Sequence, residues 1–162
     1  MKLGIAIKEV AEAEEQLAEA LLKVGERHRT DHDVYHLTRL LSRWSQGHLA
    51  ALEPFATRYE QSVDTDEIGR ESAGALSALR EKTAELLGRR PQSGLLLLHD
   101  LRELHLQAAR ASLAWTVLGQ GAQAAKDQQL LDCVTLCHPE TLRTLRWTLT
   151  KAKESAPQVL TT

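Results

Sequence analysis

Glycine and proline are scarce in this 162-residue chain, nine and four respectively. Short runs of period-two alternation bounded by turn residues are missing too, which leaves little room for strands. Cysteine occurs only twice, at Cys133 and Cys137, too few and too close in sequence to staple a fold. Neighbouring turns of one helix rarely suit a disulfide, so a reducing, cytoplasmic compartment is expected. No stretch approaches eighteen apolar residues, which excludes a long transmembrane helix on the sequence pattern. The opening MKLGIAIKEVAEAEEQ has too short an apolar run for a signal peptide. Neither charge sign dominates: the formal net charge is -2 with both signs interspersed. A nucleic-acid binder would show a basic face and a raised isoelectric point, so neither nucleic acid nor membrane is expected as a partner. There is no glycine-rich phosphate loop, no zinc-ribbon spacing and no local motif marking a nucleophile.

What remains is helix-forming. Ala, Leu, Glu, Gln and Arg dominate, and 43% apolar with 26% charged residues is the balance of a globular protein with a sizeable core. Four long periodic segments are predicted. The first spans 2–27, with Leu3, Ile7, Val10, Glu14, Leu17, Leu21 and Val24 as its seam. The second spans 31–57, capped by Thr30 or Asp31, with Val34, Leu37, Leu41, Trp44, His48, Ala51 and Phe55. The third spans 94–119 on Leu97, Leu101, Leu104, Ala108, Ala111, Trp115 and Leu118, with GQG at 119–121 as its stop. The fourth spans 122–155 on Leu131, Val134, His138, Leu142, Leu145 and Leu149, followed by a frayed APQVLTT tail. Pro139 is expected to kink it or interrupt its hydrogen-bond ladder.

Between helices 2 and 3, residues 58–93 are polar and turn-rich, with ALSALREKTAELL as a short extra helix. That exceeds an ordinary interhelical loop. It is long enough to run the roughly 40 Å length of a helix and set helices 2 and 3 parallel. The expectation is a single all-α four-helix bundle over 1–162 with one long crossover.

Each helix carries one polar residue at or beside its seam, near mid-length: Glu14, His48, His105 and His138. Counted through an up-down-down-up bundle, Glu14 and His105 come level, with His48 and His138 about a turn to either side. One carboxylate and three imidazoles suit a single Fe or Zn ion. The other reading is a hydrogen-bonded core network, Glu14 pairing with a buried histidine and Ser45 and Thr135 completing it. His28, His32 and His36 recur every four residues but straddle a helix junction, and are read as solvated. Cys133 and Cys137 are read as small apolar core residues, or alternatively as a redox-responsive thiol pair.

Two helical hairpins, a seam Glu on helix 1, and x-x-His on helices 2 and 4 resemble the ferritin-like superfamily, in texture its small bacterial stress proteins. The resemblance rests on AEEQLAEALLKV, SQGHLAALEPF and ASLAWTVLGQ leading to LLDCVTLCHPE. It implies a ferritin-like bundle with a di-iron site built from two Glu and two Glu-x-x-His motifs. Here those motifs read Ser45-Gln46-Gly47-His48 and Thr135-Leu136-Cys137-His138, and the helix-3 acid, Glu103, points off the seam. The resemblance therefore implies the fold with its di-iron motif rewritten. The functional expectation is an interaction or assembly protein without cofactor, pairing with a protein partner or a second copy through outer faces carrying Trp147 or Trp115. The alternative is a mononuclear Fe or Zn protein of redox or protective role, using Glu14, His48, His105 and His138.

Overall fold

A computed structural model describes residues 2–59 and 93–162, and every regular element among them is an α-helix. They are α1 (Leu3–Arg27), α2 (His32–Arg58), α3 (Ser93–Ala124) and α4 (Gln128–Thr161). The short extra helix expected within 58–93 lies outside the described residues. α1 packs on α2 and α3, and α4 packs on α3 and α2, so α1/α4 and α2/α3 are the diagonal pairs of a four-helix arrangement.

End contacts fix the directions. Arg27 near the end of α1 bonds Asp100 near the start of α3 at 2.8 Å. Arg58 at the end of α2 reaches Asp127 ahead of α4 at 3.3 Å, and Lys151 of α4 reaches Asp31 ahead of α2 at 3.3 Å. α1 and α3 are therefore antiparallel, as are α2 and α4, and the diagonal helices α2 and α3 point the same way.

Asp31 caps α2 by accepting from the Val34 N–H at 3.1 Å, and Asp127 caps α4 by accepting from the Leu130 N–H at 3.1 Å. Each satisfies a donor that the first helical turn leaves free. GQG does not end α3, which runs on to Ala124. A Cβ on Gly121 would meet Leu3 at 2.8 Å, and one on Gly119 would meet Val134 at 3.2 Å. These glycines admit neighbouring helices. The reversal instead uses Lys126 in the left-handed region, φ 58°. The expected frayed tail is also helical, and Val159 packs where a Cβ on Gly94 would have to lie.

Prolines 54, 139 and 157 all lie inside continuous helices. Each removes the donor for the carbonyl four residues earlier, at Ala50, Thr135 and Lys153. All three of those residues are exposed, so water can satisfy the freed oxygens.

The buried faces of α1 and α3 are the predicted seams, every residue of them. α2 and α4 are turned from theirs. α2 buries Thr38, Ser42, Ser45, Leu52 and Ala56 along with Val34, Leu41 and His48, while Leu37, Trp44, Ala51 and Phe55 are only half-buried. α4 buries Leu130, Cys133, Val134, Cys137, Thr141, Thr144 and Thr148. His138, Leu142 and Leu145 move to the flank and Leu149 to the surface. Several of the buried hydroxyls are satisfied by backbone carbonyls. Thr38 donates to the Val34 carbonyl at 2.7 Å, Thr144 to that of Glu140 at 3.3 Å, and Ser42 crosses to the Ala18 carbonyl at 3.0 Å. Burial of hydrogen-bonded hydroxyls carries little penalty.

Small residues Gly4, Ala11, Ala18 and Gly25 recur every seventh position of α1 and are all buried. Gly25 faces Thr38, whose Oγ1 occupies the place a Cβ would take. Gly25→Ala should destabilise the protein by about 1–3 kcal/mol through overpacking. Thr38→Ala should reduce that cost in the double variant, and a thermal-melt cycle showing strict additivity would refute the contact.

Candidate polar core site

Glu14 is completely buried near the middle of α1, where its neighbours are a donor from each of two other helices. Its Oε1 accepts from the Trp115 indole N–H of α3 at 2.6 Å and from the Thr141 hydroxyl of α4 at 2.5 Å. His48 of α2 completes the layer. Its Nδ1 lies 3.1 Å from Glu14 Oε1, and its Nε2 meets Glu140 Oε2 of α4 at 2.8 Å. The Nδ1 contact is off the line of a hydrogen bond, so its attraction is mainly electrostatic. Among the described residues, His48 Nδ1 and Glu14 Oε2 have no hydrogen-bond partner. The imidazole also stands edge-on to the Trp115 ring, centroids 5.8 Å apart.

The charges are mutually reinforcing. Burial pushes the Glu14 carboxyl up, but His48, Thr141 and Ser45 together outweigh it and hold the group below its ordinary value. Burial likewise pushes His48 down, and the two carboxylates beside it outweigh that and raise it. The anion of Glu14 and the cation of His48 are thus each favoured by the other, with Glu140 at the solvent-facing end of the chain. This is how a buried charge escapes the large cost of standing alone.

Two of the four sequence candidates meet here and two do not. His105 Nδ1 pairs with Thr148 Oγ1 at 2.9 Å, and His138 Nε2 with Ser112 Oγ at 2.9 Å. Both bridge α3 and α4, away from the Glu14–His48 contact. Burial lowers the His138 pKa, partly countered by Glu14. Ser45 is buried against the network as expected, whereas Thr135 is exposed and donates to its own helix at the Leu131 carbonyl, 2.9 Å away. Residue-type reasoning missed Glu140, Thr141 and the role of Trp115. The readable signal was the spacing of Cys133, Cys137, Glu140 and Thr144, a second helical stripe on α4.

At the end of the bundle, His28 is buried and its Nε2 bonds Asp100 Oδ2 at 2.7 Å, joining α1 to α3 with Arg27. The junction expected to be solvated is so at His32 and His36 and not at His28.

The di-iron site implied by the resemblance does not fit these residues. Glu14 Oε1 is already taken by an indole N–H, a pure donor, and by a hydroxyl. Among the described residues no group of three or more His, Cys, Asp or Glu side chains is placed to hold a metal ion. The described residues therefore form an all-helical four-helix arrangement with a charged hydrogen-bonded layer across it. No protein-family model, curated protein or solved structure matches the chain. No helix among the described residues is long and apolar enough to cross a membrane.

Proposed function

We propose that this chain is a ferritin-like bundle, with residues 60–92 as its long crossover, that has exchanged di-iron chemistry for a structural polar layer and serves as an assembly protein. The parallel course of α2 and α3 supports the crossover, because the chain must travel the bundle's length between them. The donors on Glu14 support the exchange. Unbridged Cys133 and Cys137 fit a cytoplasmic setting.

The observation that carries the assembly role is the outer face of α3. Leu106, Leu113 and Val117 are 57%, 65% and 52% exposed along one stripe. Leu149 of α4 extends it, since Leu106 and Leu149 each follow by one residue the paired His105 and Thr148. Solvated leucines clustered in this way mark an interaction surface. Trp115 is fully buried and so is no outer anchor, while Trp147 packs half-buried against the core.

A second copy of the chain is the partner that this stripe fits. Leu106 and Leu113 lie symmetrically about Ala109 and Arg110, so a two-fold axis there sets Leu106 of each copy against Leu113 of the other. Such self-complementarity is the condition for an isologous dimer. Sedimentation analysis should give twice the chain mass for the wild type and a folded monomer for Leu106→Lys/Leu113→Lys. A wild type that stays monomeric at high concentration would overturn the assignment. Metal analysis of protein purified without chelator separates the other reading, since stoichiometric Fe or Zn lost in His48→Ala would defeat the cofactor-free proposal.

A further inference from the structure

The polar layer leaves two nucleophilic groups unused. Cys133 and Cys137 sit one turn apart on the core face of α4, both buried and neither bridged. The two thiols act on each other, which favours thiolate at Cys133 and disfavours it at Cys137. The Cys133 thiol itself points to the Ala51 carbonyl of α2 at 3.7 Å. His48, from the same helix α2, lies near enough for its positive charge to act on Cys133.

Helix geometry decides what such a pair can hold. Cβ atoms at i and i+4 are about 5–6 Å apart. A disulfide needs them at about 3.5–4.5 Å, so direct oxidation would have to break the turn. One atom inserted between the sulfurs removes the conflict. With metal–sulfur bonds of about 2.3 Å, a linear S–metal–S unit spans about 4.6 Å between sulfurs and leaves the helix intact. Soft monovalent d10 ions favour two-coordinate thiolate geometry, and soft thiolates select Cu(I). The absence of a three-ligand cluster among the described residues does not bear on a site that needs only two.

We propose that Cys133 and Cys137 form a two-coordinate site for a soft monovalent cation, Cu(I), distinct from the Glu14 layer and independent of the assembly role. Binding releases both thiol protons to solvent and forms two metal–sulfur bonds, with no change of oxidation state. The bound unit carries one negative charge. His48 offsets it at Cys133, while Glu14 and Glu140 oppose thiolate formation at Cys137.

The test is an anaerobic titration of the full chain with Cu(I) against a chromophoric Cu(I) chelator. One ion per chain and a thiolate-to-copper ultraviolet band are expected. X-ray absorption should show two sulfurs on copper. Cys133→Ser and Cys137→Ser should each lose the band and the competition. Both should stay folded by circular dichroism, because a serine hydroxyl on this face can bond the preceding turn as Thr144 does. His48→Gln should weaken binding and Glu140→Gln should strengthen it, shifts that a purely structural role would not produce. Uptake no greater than in the double serine variant would overturn the proposal, as would a Cys133–Cys137 disulfide forming in air with the helix intact.

Discussion

Trp115→Ala is expected to be the most damaging single substitution away from the helix ends. The side chain is fully buried at the centre of the molecule. Deleting a buried tryptophan costs about 3–5 kcal/mol through lost burial and the cavity left behind. Against a total stability of about 5–15 kcal/mol, that lowers the melting temperature by roughly 6–20 °C for a chain of this size. Part of the loss is chemical, because the indole N–H serves the buried Glu14 carboxylate at 2.6 Å. Trp115→Phe keeps most of the ring and removes only the donor. A hydrogen bond to a charged group contributes about 1.5–3 kcal/mol, so Phe should recover some of the loss but not all of it. Equal melting of Trp115→Phe and wild type would show that the indole–carboxylate bond contributes nothing.

The second large effect is on pH dependence. Glu14 is held below its ordinary value of 4.5 despite burial, so its stabilisation is present above that pH and disappears as pH falls through the depressed value. His48 is raised above its ordinary 6.5, so its stabilisation is complete below 6.5 and disappears as pH rises through the raised value. Together they give a stability maximum between 4.5 and 6.5, with loss on both sides. His138 acts in the opposite sense, because its lowered value makes protonation below 6.5 favour the unfolded chain. The contribution of His48 is therefore read as a difference between proteins. Denaturant midpoints should fall between pH ~5.5 and ~8.5 in wild type and fall less in His48→Gln. Parallel curves for the two would remove the His48 ion pairs from the account.

The all-helical class and the seams of α1 and α3 were legible because apolar residues at helical spacing dominate those faces. Glu14 stood out for the same reason, as the one charge in an otherwise apolar stripe. α2 and α4 were misread by following their largest apolar side chains. Their true core faces carry Thr38, Ser42 and Ser45, and Thr141, Thr144 and Thr148, whose hydroxyls bond carbonyls or the Glu14 carboxylate and so can be buried. Small polar residues then face the core while Trp44, Phe55, Leu142 and Leu145 cover the flanks. That rotation moved His138 off the predicted layer and brought Glu140 onto it. Glycine misled for a related reason: at 119 and 121 it makes room for Val134 and Leu3, a demand visible only once helices are packed. Pairing partners for four polar residues on four helices depended on rotations of this kind, which periodicity alone leaves open.

Thr141 and Glu14 lie on diagonal helices whose backbones do not touch, and their hydrogen bond links the two hairpins through the centre. Its consequence concerns the order of assembly. Each hairpin, α1 with α2 and α3 with α4, is built from contacts close in sequence and can form early. The central bonds can close only after the hairpins dock, and slippage by one helical turn, about 5.4 Å, would strand Glu14 among groups that cannot donate to it. The layer acts as a proofreading key for docking. Trp115→Phe should therefore accelerate unfolding far more than it slows folding, the signature of a contact made after the rate-limiting barrier.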